Sequence, residues 1–271
     1  MMVMNRISQR FTQLKTANRK ALIPFITAGD PSRDATVPVM HALVAAGADV
    51  IELGVPFSDP MADGPVIQRS SERALARKVG LDYVFDCVRS FRTIDSKTPI
   101  VLMGYLNPVE MRGAERFARE AAVAGVDGVL LVDLPLEEAA AARDVFNTHG
   151  IQLIALAAPT TSPERLTRMA RDAQGYLYYV SFAGVTGAAH IDTTAVRERM
   201  IALRDESAVP VVVGFGVKDA ATAAALAPAA DGVVIGSALV ETLGVATSPE
   251  DAAQRARAFL APLRAALDAV K

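Results

Sequence analysis

The chain has 271 residues, 51% of them hydrophobic and 21% charged, with a formal net charge of −2. That length suits one large domain with a sizeable core, and a nearly neutral chain without a clustered basic stripe lacks the electrostatic footprint of a nucleic-acid binder. The single cysteine, Cys87, cannot form an internal disulfide and reads as a small buried hydrophobe in a reducing compartment.

The opening Met1-Met2-Val3-Met4-Asn5-Arg6 has no continuous apolar segment, so no signal peptide is expected there and the cytoplasm is the default location. No apolar run approaches the ~18 residues that a membrane span requires. The segment Asn5 to Lys15 follows, with Ile7, Phe11 and Leu14 at helical spacing. It predicts an extra helix covering one end of the fold.

Eight short apolar runs then recur: Ala21–Thr27, Asp49–Leu53, Pro99–Met103, Gly128–Asp133, Gln152–Ala157, Tyr176–Val180, Val211–Gly214 and Gly232–Ile235. Each is nearly continuous in apolar character rather than alternating, as in parallel strands buried on both faces. Ala-, Arg- and Glu-rich helical segments separate them, including Ala35–Ala46, Met111–Ala124, Leu136–His149 and Ala220–Ala227. Ser162-Pro163-Glu164 and Ser248-Pro249-Glu250 are helix starts. Gly47, Gly125 and Gly150 are helix stops. Eight strand–helix alternations without a linker predict one (β/α)₈ TIM barrel over residues 1–271. No G-x-G-x-x-G follows the first strand, which disfavours the doubly wound open sheet.

In such a barrel, chemistry sits at the C-terminal ends of the strands. Glu52 lies inside the second strand between Ile51 and Leu53. Burial would raise its pKa toward the range of a general acid/base, and a structural salt bridge on the barrel floor is an equal alternative from position alone. The loop 54–65 is rich in Pro, Gly and Asp and holds Asp59 and Asp63. Position alone favours a turn-forming role for each of them. Asp133, at the end of the fourth run, either lines the same pocket or caps the next helix.

Glycine-bearing turns follow the last three strands: Gly184-Val185-Thr186-Gly187, Gly214-Phe215-Gly216-Val217, and Gly236-Ser237, which opens a short helix over Ala238–Leu243. Glycine turns let backbone N–H groups approach an anion, and the helix dipole favours a phosphate dianion. His41, His149 and His190 show no metal-ligand spacing, and no lysine lies within a strand to form a Schiff base.

The stretch Glu52 to Gly64 reads ELGVPFSDPMADG, and it closely resembles the signature of the tryptophan synthase alpha subunit family. Phe25–Pro31, Met103–Pro108, Tyr178–Gly187, Gly214–Val217 and Gly236-Ser237 resemble further family segments, so the similarity spans nearly the whole chain. The resemblance implies retro-aldol cleavage of indole-3-glycerol phosphate to indole and glyceraldehyde 3-phosphate, with no metal and no cofactor in this chain. It implies Glu52 as the acid/base at indole C3 and the glycerol hydroxyl, and Asp63 at the indole N1–H. Phe25, Met103, Leu130 and Tyr178 would line the substrate pocket, and Thr186 would bond the catalytic Asp on closure. Gly187, Phe215, Gly216, Gly236 and Ser237 would cradle the phosphate. Val55, Pro56 and Asp59 would face a pyridoxal-phosphate-dependent beta subunit, in an alpha2beta2 assembly that receives indole through a tunnel. Two positions depart from the pattern: Phe182-Ala183 precede Gly184 where several members carry an arginine, and Ile235 replaces a small polar residue. A stand-alone lyase with the same chemistry and a phosphosugar epimerase or isomerase barrel are the alternatives.

Overall fold

The computed structural model describes residues 5–180, 193–214 and 216–270. Its strands are β1 (Ala21–Thr27), β2 (Ile51–Gly54), β3 (Ile100–Gly104), β4 (Gly128–Leu131), β5 (Gln152–Ala157), β6 (Leu177–Val180), β7 (Val211–Gly214) and β8 (Gly232–Ile235). All neighbours pair in parallel, and β1 pairs with β8 to close the barrel. The helices are α1 (Arg6–Thr16), α2 (Thr36–Ala45), α3 (Pro65–Ala76), α4 (Leu81–Arg92), α5 (Leu106–Arg112) and α6 (Ala114–Ala124). They continue with α7 (Ala139–Thr148), α8 (Pro163–Asp172), α9 (Thr193–Glu206), α10 (Ala220–Leu226), α11 (Ser237–Gly244) and α12 (Pro249–Asp268). No helix among the described residues is long and apolar enough to cross a membrane.

The core has two compartments. Outward-facing strand residues such as Leu22, Leu53, Leu102 and Val213 pack against the helices. Inward-facing residues such as Ile23, Val101, Leu130, Ile154, Tyr176, Val212 and Val234 fill the barrel, and Ile7, Phe11 and Leu14 of α1 join them. α1 is therefore a plug on the floor of the barrel. Asn5 starts it, its side chain accepting from the Ile7 N–H at 2.8 Å.

Three aspartates organise the N-terminal rim in the same way. Asp49, Asp127 and Asp231 accept an N–H at the start of the preceding strand, from its first or second residue: Leu22 at 2.8 Å, Ile100 at 2.8 Å and Val211 at 2.9 Å. Each also donates its own backbone N–H back to the same residue's carbonyl. Asp49 is ion-paired to Arg10 and Arg264, and Asp127 to Arg6 and Arg92. This is why β2 begins at Ile51 and not at Asp49 as the apolar run suggested. Asp49 closes a turn onto its neighbour instead of extending the ladder.

Several predicted elements shift. The helix expected over Met111–Ala124 is divided at Gly113 (φ 82°), with α5 ending before it and α6 starting after it. The helix expected over Leu136–His149 is confined to α7. β4 ends at Leu131, leaving Asp133 in the turn beyond. Its carboxylate accepts the Leu106 N–H at 2.8 Å, so Asp133 caps α5, the helix after the neighbouring strand, and not the next helix in sequence. Ser162 and Ser248 accept from the Arg165 and Asp251 N–H groups at 3.4 and 3.2 Å and start α8 and α12 as expected.

Candidate active site

The strand register brings the candidate residues to one end of the barrel. Phe25 of β1 pairs with Glu52 of β2, and Gly54 pairs with Met103 of β3. A cavity of about 200 Å³ opens there, lined by Phe25, Glu52, Asp63, Met103, Tyr178, Gly216, Gly236 and Ser237, all anticipated from the sequence. Two glycines make room for the aromatic walls. A Cβ on Gly54 would lie 2.5 Å from the Phe25 ring, and one on Gly214 would collide with the Tyr178 hydroxyl.

Glu52 is 0% exposed. The Tyr176 hydroxyl donates to its Oε1 at 2.6 Å, while Oε2 has no partner among the described residues. No cation stands within salt-bridge distance of it among them, so the floor salt bridge considered for Glu52 does not form there. Burial is the dominant influence and pushes its carboxyl up to about 7, the Tyr176 hydrogen bond pulling the other way. One oxygen is anchored from below and the other is uncommitted.

Asp63 reaches the cavity from the loop before α3. Phe57 stacks on Tyr105 at 5.1 Å between ring centroids, and the Tyr105 hydroxyl accepts the Ala62 N–H at 3.0 Å. The Asp63 carbonyl accepts from Gln68 at 2.8 Å. Burial pushes the Asp63 carboxyl up to about 6, and a hydrogen bond from Tyr105 opposes the shift. The two carboxyls thus have different anchors, a tyrosine on the barrel floor for one and a tyrosine beneath a loop for the other.

The far end of the cavity is made of main chain. Gly236 precedes α11, no side chain caps the helix, and Ser237 and Ala238 of its first turn line the wall. The first-turn N–H groups and the positive end of the helix dipole therefore suit an anion. Gly216, at φ +81°, supplies the neighbouring turn.

Other expected residues stand elsewhere. Leu130 is fully buried in the barrel interior, beside Ile154 in register, and is not on the cavity wall. It pairs with Met103 of β3 and belongs to the interior cluster with Val101 and Tyr176. Val55 is half-buried, with its N–H bonded to the Met103 carbonyl at 2.8 Å, and Pro56 is buried. Asp59 is exposed and accepts from the Ser58 hydroxyl. Thr186, Gly187 and Phe215 lie outside the described residues, as do Phe182 and His190. Ile67, Val217, Lys218 and Val234 also line the cavity and were not anticipated, nor was Tyr176 as the partner of Glu52. The two-residue spacing of Tyr176 and Tyr178, which puts both on one side of a strand, was the available signal. Among the described residues no group of three or more His, Cys, Asp or Glu side chains is arranged to hold a metal ion.

Residues 11–268 match the family model for the tryptophan synthase alpha chain. The chain belongs to the tryptophan synthase alpha chain family. It is 65% identical over 266 residues to the tryptophan synthase alpha chain of Xanthomonas oryzae pv. oryzae (strain PXO99A), covering 98% of this chain and 99% of that one. It is 64% identical over 268 residues to that of Xylella fastidiosa (strain 9a5c), covering 99% and 100%. The crystal structure of tryptophan synthase subunit alpha from Legionella pneumophila str. Paris superposes with a TM-score of 0.91 at 46% identity, covering 98% of this chain and 99% of that one. An aminoacrylate-bound tryptophan synthase from M. tuberculosis matches with a TM-score of 0.85 at 35% identity, covering 97% and 99%.

Proposed function

We propose that this chain is a carbon–carbon lyase that cleaves indole-3-glycerol phosphate to indole and glyceraldehyde 3-phosphate. The observation that carries the proposal is that Glu52 and Asp63 open into one cavity whose other end is a glycine and helix-N-terminus cradle. Family membership supplies the substrate.

The neutral Glu52 carboxyl protonates indole C3, which becomes tetrahedral and leaves positive charge at N1–H. The Asp63 carboxylate faces that N–H and stabilises the charge. Glu52, now a carboxylate, takes the proton of the glycerol hydroxyl as the carbonyl forms. The bond between C3 and the glycerol carbon breaks, and its electron pair returns to the ring. Glu52 ends protonated, as it began. A carboxyl near 7 with one oxygen held by Tyr176 supports this shuttling, because both protonation states are accessible at neutral pH. Phe25, Met103 and Tyr178 would enclose the indole, and Gly216, Gly236 and Ser237 would hold the phosphate by backbone N–H groups. The steps require no metal or organic cofactor from this chain.

The partner follows from the same reading: a beta subunit holding pyridoxal phosphate that takes up the indole, in an alpha2beta2 assembly. Exposed apolar side chains at the loop after β2 and on α5 support a docking surface at this end, Met61 being 87% exposed and Met111 81%.

The test is release of glyceraldehyde 3-phosphate from indole-3-glycerol phosphate, with and without a beta subunit. Glu52→Gln and Asp63→Asn should each lower kcat by roughly a thousandfold, while glycerol phosphate still binds. Wild-type turnover by Glu52→Gln would overturn the mechanism, and an absence of turnover by the wild type with its beta subunit would overturn the function.

A further inference from the structure

The lining of the cavity is unbalanced in charge. It carries two carboxyls, Glu52 and Asp63, and the substrate class proposed above brings a phosphate dianion into the same space. Lys218 is the one basic side chain among the described residues that line it. It stands two residues after Gly216, on the turn between β7 and α10, and is exposed. Its neighbour Asp219 does not neutralise it through a bond. The Asp219 carboxylate is committed to the Thr222 N–H at 2.8 Å and the Thr222 hydroxyl at 2.7 Å, as the N-cap of α10. No hydrogen bond or ion pair holds the Lys218 ammonium among the described residues.

We infer that Lys218 is a phosphate-recognition residue, whose ammonium completes the main-chain cradle of Gly216, Gly236 and Ser237 and selects for a dianionic substrate. This rests on the phosphorylated-substrate reading of the site. The physical case is electrostatic. Backbone N–H groups and a helix end supply partial charges, roughly half an elementary charge for the helix. They face a dianion in a cavity that also holds two ionisable carboxyls. A full positive charge at the rim offsets that repulsion, and its flexible four-carbon stem lets it act as a point charge without fixed geometry. An exposed charge at a cavity mouth also accelerates the encounter with an anionic substrate, an effect that salt screens within about 10 Å at 0.1 M. Since Lys218 stands beside Gly216 at the phosphate end and Glu52 lies within the barrel, anchored by Tyr176, the ammonium acts on binding and leaves the proton transfers untouched.

The experiment uses the whole chain with Lys218→Met, Lys218→Glu and Lys218→Arg, and reads two quantities: steady-state cleavage of indole-3-glycerol phosphate, and calorimetric binding of glycerol 3-phosphate, which carries the phosphate without the indole. Lys218→Met should raise KM and the glycerol 3-phosphate Kd by about tenfold, with kcat at saturation within about twofold of wild type. Lys218→Glu should raise both further, and Lys218→Arg should restore most of the affinity. The decline of kcat/KM with added salt should flatten in Lys218→Met. Unchanged KM and Kd in Lys218→Met, or an equal loss in Lys218→Arg, would overturn the assignment. If the wild type failed to cleave the indole substrate but Lys218→Met still weakened glycerol 3-phosphate binding, the reaction reading would fall and the role of Lys218 would stand.

Discussion

Residue by residue, the site is governed by burial acting on two carboxyls to different degrees. Glu52 is held up to about 7 and Asp63 to about 6. In the proposed mechanism Asp63 must be ionised and Glu52 protonated at the start. Activity should therefore rise with pH through about 6 and fall through about 7. The profile of kcat/KM should be a narrow bell with one limb from each carboxyl, and a flat profile from pH 5 to 9 would contradict the assignment. Burial of Glu52 has a second consequence, for stability. Its folded pKa lies above the ordinary 4.5, so the fold favours the protonated form. The contribution of Glu52 to stability is then fully present below about 4.5 and is lost as pH rises through about 7. Full ionisation costs about 3 kcal/mol. Glu52→Gln should gain stability over wild type by about that amount on going from pH 4.5 to pH 8 in urea titrations. A difference independent of pH would remove burial as the cause of the shift. The acidic residues of this site were visible in the sequence as Asp and Glu near strand ends. Their order of pKa was not, because desolvation depends on neighbours such as Tyr176 and Tyr105 that lie far from them along the chain.

At the scale of elements, the loop bearing Asp63 is only as well placed as α3, which it leads into. α3 is fastened to β1 and its loop by a Thr27–Ser70 hydroxyl pair at 2.7 Å and by Arg73, whose guanidinium forks onto both Asp30 oxygens at 2.7 and 2.8 Å. Asp30 is buried, and Arg73 is about one-third exposed. Arg73→Met would strand the Asp30 carboxylate beside Arg77, whose nearest nitrogen is 4.0 Å away. The expected loss is about 2 kcal/mol, below that of a fully buried pair because water screens the exposed side. Thermal unfolding measures it, and kcat should fall with it as Asp63 loses its footing. The mutant retaining full stability would show that α3 docks without the pair. Apolar runs and capping serines located most elements correctly. What they missed were ends set by tertiary partners: β2 starting after Asp49, and Asp133 capping α5 across a strand boundary.

For the whole molecule, the floor and the chemistry are connected through one column of side chains. Phe11 of α1 packs on Tyr176 at 5.8 Å between ring centroids, and Tyr176 donates to Glu52. Phe11→Ala should destabilise the fold by about 3 kcal/mol through the cavity it leaves. It should also lower kcat more than it changes KM, because the anchor of Glu52 loosens while the phosphate cradle at the other end is untouched. Denaturant unfolding with steady-state kinetics tests both parts, and an unchanged kcat in a destabilised protein would separate the plug from the site. The plug reading of α1 was available from Ile7, Phe11 and Leu14 alone, since three apolar residues on one helical face must be covered by something.

By itself the sequence determined the architecture and the family. Eight buried-strand patterns alternating with helices have few closed solutions, and the Glu52–Gly64 stretch is long enough to be specific. Local spacing also placed the glycines at 216 and 236 and the helix opening at Ser237. Only the tertiary structure decided which carboxyls share a cavity, that Leu130 belongs to the packed interior instead of the wall, and that Lys218 is the one basic side chain among the described residues at the rim. These depend on barrel closure, which sets side chains from five of the eight strands, and the loops after β2, β7 and β8, around one small volume. Separation along the chain says nothing about distance across it, and burial, which sets the charge of Glu52, exists only once that volume has formed.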